Sequence, residues 1–338
     1  MWPFPNPRRR RAIAAGASVV LFALLTALST VACGGGESEG TSENTIYLVG
    51  YSTPGPIYEK VIEPAFQRTV VGEDVTFVNS FGPSVDQSRA VAAGQPASVV
   101  NFANTGDVEY LVDKGIVPRD WQNNDAHKSA VAMIVRKGNP KGLKTFRDLL
   151  TEDVEIVIPD PAGSGAGRWA LMAIYKSERY EGRSHQEALN TIKAVLEKTV
   201  TQPRSADDGR IAFLEGTGDV LLSYESEGIA VKREDKADFV VPPTTILVDA
   251  PIVVTKDAPP AAEDFVEFIR SEEAQELWVA HGYRPIYTNM TGPTSHVPSP
   301  LFRIYEAGEW KQVNREFFDP QTGAIAKIEK ELGIPTGG

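Results

Sequence analysis

The chain has one cysteine, four histidines and, beyond residue 32, no apolar run long enough to span a membrane. With Cys33 alone, no internal disulfide can form, and no cysteine remains in residues 34–338 as a nucleophile. The histidines, His127, His185, His281 and His296, show no metal-ligand spacing, and no H-E-x-x-H occurs. No G-x-S-x-G elbow is present; Gly50-Tyr51-Ser52-Thr53-Pro54 and Gly82-Pro83-Ser84-Val85-Asp86 lack the second glycine. A phosphate-binding P-loop is excluded because Arg168-Trp169 stands where Lys and Ser/Thr are required. Positive charge is also scarce. The net charge is −11 for the whole chain. Without the four leader arginines it is −15, which argues against nucleic acid or an anionic lipid face as partner.

The leader itself is informative. Arg8 to Arg11 precede an uncharged stretch from Ala12 to Ala32, which closes with Ser29-Thr30-Val31-Ala32-Cys33. A basic segment, an apolar segment and small residues before a cut form a secretory signal, here 1–32. Cys33 in that position resembles a bacterial lipobox, in which the thiol is acylated and becomes the first mature residue. An uncleaved membrane anchor is the alternative, and the four arginines also permit twin-arginine export. Residues 33–44 contain GGGESEGTSEN, with no large apolar residue, and read as a flexible tether.

From Thr45 onward, strand and helix signals alternate. Strands are expected at 46–49, 75–78, 98–102, 131–135, 155–158, 219–222 and 252–255. Helices are expected at 57–67, 84–93, 168–178, 186–198, 261–270 and 272–280, with another running to Asp113. Residues 291–300 are rich in Pro, Ser and Thr and should be irregular. This βαβ rhythm predicts an α/β protein with mostly parallel sheets.

Five segments then carry a resemblance: MIVRKGNPKGLKTFRDLL, VEIVIPDPAGSGAGRWA, FLEGTGDVLLSYESEG, VVPPTTILVDAPIVV and SEEAQELWVAHGYRPI. In order and spacing they resemble the periplasmic sulfate- and thiosulfate-binding proteins of ABC importers. The resemblance implies a type II, two-lobed periplasmic binding fold, each lobe a mainly parallel sheet flanked by helices, with ligand in the cleft between. Lobe one would comprise 45–133 and 249–338, lobe two 134–248. The hinge would lie near Ile134-Val135 and Val248-Ala250.

A fully ionised oxyanion needs donors and no acceptors, and helix N-termini supply them. Pro161-Ala162-Gly163-Ser164-Gly165-Ala166-Gly167-Arg168 follows a strand and opens a helix; on spacing alone it could also be an ordinary turn. The resemblance implies a hydroxyl and an amide from Ser164, with amides from Gly165 and Ala166. From lobe one it implies Ser52, Thr53 and Ser84 as ligand-binding residues, with Asn104 or Thr105 lining the cleft. Three departures stand out. Thr53 replaces the family's aspartate and Tyr224 its tryptophan, while Pro203-Arg204-Ser205-Ala206 replaces its T-G-A-R-G turn. Ser205 and Ala206 could still give amides. Arg204 is either a cleft donor or a solvated side chain, and Glu225 and Glu227 read as solvated helix acids.

Together these readings predict a lipid-anchored extracytoplasmic component of an ABC importer that captures sulfate or thiosulfate. It would be a monomer without cofactor, would break no bond, and would hand its anion to a permease and ATPase. A sulfonate, molybdate or phosphate ligand stays open. So does a ligand-sensing surface lipoprotein.

Overall fold

The computed structural model describes residues 44–335, apart from 123, 294–297, 299 and 305–308. The leader, Cys33 and nearly all of the tether lie outside the described residues.

The first parallel sheet is built on Thr45–Tyr51 (β1), which pairs with Thr76–Gly82 (β2) and Val99–Asn101 (β3). Parallel neighbours require crossovers. These are the helical segment 55–66 and the helix Ser84–Ala92. Alternation along β1 buries both faces of the sheet. Ile46 and Leu48 join Tyr58, Phe66, Phe265 and Trp278 on one face. Val49 joins Val100, Phe102 and Leu111 on the other.

The second sheet repeats the plan. Ile156–Val157 (β5) pairs in parallel with Thr199–Thr201 (β6) and Val220–Tyr224 (β7). The helices Gly165–Tyr180 and His185–Glu197 cover it, sinking Trp169, Met172 and Ile192 into one core.

Two long strands join the sheets. Asp125–Val135 (β4) and Thr245–Val254 (β9) run antiparallel to each other. β4 pairs with β9 up to Ala130, then with β7 from Val131. β9 leaves β4 at Pro251 and pairs with β3 from Ile252. Asp238–Val240 (β8) adds to β4, and Leu301–Phe302 (β10) adds to β9. The strand order is β2-β1-β3-β9-β4-β7-β5-β6. The passage on β4 thus falls between Ala130 and Val131, a few residues before the expected Ile134-Val135. The expected strand 131–135 is only the second half of β4, because Asp125, Lys128 and Ser129 interrupt the apolar pattern of its first half.

The tail departs from expectation. Residues 249–338 were expected to return to the first lobe, but their packing divides them. Phe265 and Trp278 do pack with β1. Phe302, Ile304, Trp310, Val313, Phe317, Ile325 and Ile328 share a core with Trp169 and Ile192, while Lys311 in the same segment pairs with Asp113 of the first lobe at 2.9 Å. The indoles of Trp310 and Trp169 meet edge to face with centroids 4.7 Å apart. A helical stripe of that size needs an apolar partner, and the second core provides it.

Glu225 and Glu227 correct a second expectation, since both are buried. Arg284 reaches Glu225 with both arms of its guanidinium, Nε to Oε2 at 2.6 Å and Nη2 to Oε1 at 3.0 Å. Glu227 accepts from the Ser223 hydroxyl, and burial raises its carboxyl to about 7. The 225–233 helix therefore begins inside the protein, where acids must be paired. Removing one partner of such a pair strands the other charge. Arg284→Ala should lower unfolding free energy by about 3–5 kcal/mol in urea titrations, and a loss below 1 kcal/mol would contradict the pairing.

Candidate functional site

The carboxyl ends of β1, β3, β5 and β7 all lead into turns that open helices, and in open α/β sheets ligands bind at such edges. β1 ends at Tyr51 and continues into Ser52-Thr53. β3 leads through Ala103 to Asn104, the cap of the helix Thr105–Asp113. β5 leads to Ser164, the cap of the helix at Gly165. β7 ends at Tyr224, the cap of the helix Glu225–Arg233. Two further helices start nearby, at Ser84 after β2 and at Ala206 after β6.

Glycine lets these ends approach. A Cβ on Gly165 would stand 2.5 Å from the Ala103 Cβ, 3.4 Å from the Ser84 Cβ and 3.5 Å from the Asn104 Nδ2. A Cβ on Gly167 would stand 2.0 Å from the Pro159 carbonyl oxygen. No side chain fits at either position without moving backbone. The two halves bond directly here: the Val85 N–H donates to the Gly163 carbonyl at 3.0 Å, and the Trp169 indole N–H to the Ala103 carbonyl at 2.7 Å. Three helix N-termini, at Ser84, Thr105 and Gly165, therefore lie close together, with their dipole ends and the first-turn amides that are not already bonded open to an acceptor.

The expected donors divide by what they already bond. The Ser164 hydroxyl makes no capping bond, while its amide donates to the Asp160 carbonyl at 2.8 Å. Gly165 and Ala166 occupy the first two helical positions, whose amides have no partner inside the helix. Thr53 Oγ1 and Tyr224 Oη are buried with no hydrogen-bond partner among the described residues. Burial, with Glu227 and Asp107 nearby, raises the Tyr224 phenol well above its usual range, so it stays a neutral donor. The Tyr224 ring sits edge-on to Tyr51, with centroids 6.0 Å apart. Ser52 and Thr105 are half-buried beside them.

Other expected donors are engaged elsewhere. The Ser205 hydroxyl donates to Asp208 Oδ2 at 2.7 Å and accepts from the Asp208 amide at 3.0 Å, so it caps its helix; only the Ala206 amide remains. Asn104 also caps, accepting from the Asp107 amide at 3.2 Å and donating to Asp107 Oδ2 at 2.9 Å. The Ser84 hydroxyl donates to Asp107 Oδ2 at 2.6 Å and accepts from the Ala103 amide at 3.0 Å. Arg204 is solvated, with 80% of its side chain exposed, and pairs with Asp86 at 2.9 Å. The Asp160 carboxylate accepts from the Ala162 amide at 2.8 Å, within its own turn.

Asp107 and Arg168 were not singled out as site residues from sequence. Asp107 is 3% exposed and binds Ser84 and Asn104 together; the available signal was the segment Asn104-Thr105-Gly106-Asp107, of which only Asn104 and Thr105 were read, as lining the cleft. Buried Arg168 donates from Nε to the Pro161 carbonyl at 2.8 Å and from Nη1 to Asn314 Oδ1 at 3.0 Å. It ties the 161–168 turn to the tail. Among the described residues, no group of three His, Cys, Asp or Glu is placed to hold a metal ion.

Hydroxyls and helix-start amides gathered between two α/β halves fit a binding site of the solute-capture class. Residues 46–284 match the bacterial extracellular solute-binding proteins, and the chain belongs to that family. Among curated relatives, a sulfate-binding protein of Synechococcus elongatus is 30% identical over 319 residues, 88% of this chain and 91% of the relative. A thiosulfate-binding protein of Pseudomonas aeruginosa is 29% identical over 292 residues, covering 80% and 88%. Among solved structures, the sulfate-binding protein SubI from Mycobacterium tuberculosis superposes with a TM-score of 0.77 at 35% identity, covering 82% of this chain and all of that one. The periplasmic molybdate-binding protein of Azotobacter vinelandii shares the fold, with a TM-score of 0.57 at 16% identity, covering 70% of this chain and 98% of that one.

The unpartnered hydroxyls yield a stability test. A buried donor with no acceptor costs about 1–3 kcal/mol. Tyr224→Phe should therefore leave the ligand-free protein as stable or about 1 kcal/mol more stable by urea titration. A loss above 2 kcal/mol would show that Oη holds the fold together.

Proposed function

We propose that this protein is the extracytoplasmic substrate-binding component of an ABC importer and captures sulfate, with thiosulfate as the close analogue. The observation that carries the proposal is the convergence of the Ser84, Thr105 and Gly165 helix starts, with the hydroxyls of Thr53, Ser164 and Tyr224 free to donate. A desolvated dianion requires that set, and no metal or counter-cation is needed to hold it. The binding names of the relatives support the same reading.

The ligand residues are then Ser52, Thr53, Ser164, Gly165, Ala166 and Tyr224, with the first-turn amides at Ser84, Thr105 and Ala206. Capture proceeds by closure of the two halves about β4 and β9, the strands common to both sheets. Closure brings the Gly163–Gly165 turn onto Ser84, Val85 and Ala103. The closed protein is recognised by a permease with its ATPase, and no bond is broken on this chain. Cys33 carries the lipid that holds the mature protein at the outer face of the membrane, as a monomer on the 33–44 tether.

Titration calorimetry of residues 44–338 against sulfate tests the site. Tyr224→Phe and Ser164→Ala each remove one donor to a charged ligand, worth about 1.5–3 kcal/mol, so Kd should rise roughly 10- to 150-fold in each. Unchanged affinity in both would overturn the site assignment.

A further inference from the structure

We infer that the tail helix 310–318 clamps the two halves together and that Asn314 on it is a positioning residue for the anion site, an inference that rests on the proposed sulfate site. Residues 310–331 lie beyond the 46–284 stretch that matches the solute-binding family. The end of this tail belongs to the second half. Ile325 and Ile328 share a core with Ile192. Lys193 Nζ pairs with Glu331 at 2.9 Å, and Gln202 Nε2 donates to Glu329 Oε1 at 3.3 Å. Phe317 stands edge-on to Tyr175 with centroids 4.9 Å apart, as Trp310 does to Trp169 at 4.7 Å. Aromatic pairs of this geometry add to the area they bury and fix the tail on that half.

The same helix also reaches the first half. Lys311 Nζ pairs with Asp113 at 2.9 Å. Gly106 lies so close beneath the tail that a Cβ there would stand 2.4 Å from Asn314 Nδ2 and 3.1 Å from the Trp310 Cβ. Asn314 carries the contact onward: its Oδ1 accepts from Arg168 Nη1 at 3.0 Å, while Arg168 Nε donates to the Pro161 carbonyl at 2.8 Å. Arg168 is 6% exposed, so these protein oxygens stand in for water around its guanidinium.

What these contacts join is the site. Gly106 follows Thr105 at the start of its helix, and Arg168 closes the turn that presents Ser164, Gly165 and Ala166. The path Gly106–Asn314–Arg168–Pro161 crosses from one set of helix-start amides to the other without passing through β4 or β9. Those strands permit a hinge motion, whereas a bridge between the moving edges stabilises one position of it. The backbone is unusual at the bridging residue. The helix is regular over Trp310–Val313 and widens into a π-helical turn over Asn314–Phe318. Such turns are rare and concentrate at functional places. The consequence is kinetic: a contact completed when the halves close is lost when they open, so removing it quickens release of the anion and leaves encounter unchanged.

The test is stopped-flow measurement of sulfate binding by residues 44–338 carrying Asn314→Leu, which keeps the size and removes the acceptor. The expected result is a koff raised about tenfold with kon within about twofold, as loss of one hydrogen bond to a charged group implies. Sulfate should also contract the variant less than the native protein in small-angle scattering. Glu331→Ala removes an exposed pair between the tail and the second half alone, and both rates should stay native. An unchanged koff in folded Asn314→Leu overturns the inference, and so does a loss of stability accompanied by native koff and native contraction; both leave the proposed function standing. Hydrogen exchange on the native chain serves if the variant does not fold. Sulfate should slow the backbone amides of 314–318, and no slowing there overturns the inference. Absence of sulfate binding by the native protein overturns both this inference and the function it rests on.

Discussion

The close approach of the Gly165 helix to Ala103 and Ser84 is the constraint on which the rest depends. Only with glycine there can the 163–165 turn of the second half lie against the helix starts of the first, 2.5 Å from where a side-chain carbon would collide. That contact buries Ser84, Asn104, Ser164, Gly165 and Ala166, where the helix starts meet. In a dry setting those amides and dipoles act on a charge far more strongly than in bulk solvent. The same dryness makes each remaining polar group matter. Thr53 and Tyr224 hydroxyls without partners are a stability cost to the ligand-free chain and a gain once an acceptor is present. The fold tolerates them because its anchoring comes from elsewhere, chiefly two large apolar cores and the paired Glu225–Arg284.

Charge complementarity at the level of the whole molecule contributes little to this account. The chain carries a net charge of −11, so the proposed capture of an anion has to rest on oriented neutral donors and not on net charge. Arg204, the one new cation near the cleft by sequence, sits in solvent and binds Asp86 across the cleft margin. An exposed pair of that kind contributes at most about 1 kcal/mol.

Much of this was legible in the sequence, and the reasons differ by segment. The βαβ rhythm gave the fold class because buried parallel strands such as β1 and β7 are short, apolar and bounded by turn residues. The 161–168 segment was legible as a strand-to-helix turn because its small residues stand between an apolar strand and an amphipathic helix; its spacing alone did not distinguish a binding turn from an ordinary one. The crossing strands were only half visible, since their polar residues pair with each other: Lys128 with Asp125 at 3.1 Å and Asp249 at 2.9 Å. The destination of the tail was hidden because an amphipathic stripe does not say which core it joins. Ser84, Asn104 and Ser205 were recognised as polar residues at helix starts, but what their side chains bond is a tertiary fact. Asp107 turns two of them inward, and no local pattern announces that.

The central claim is that a neutral, donor-lined site spans both halves at the 163–165 turn. A crystal structure of residues 44–338 grown with sulfate tests it most directly. The account predicts the anion between the two halves, within hydrogen-bond distance of the Tyr224 and Ser164 hydroxyls and the Gly165 and Ala166 amides. An anion held elsewhere, or one held by arginine or lysine side chains with Tyr224 turned away, would contradict it.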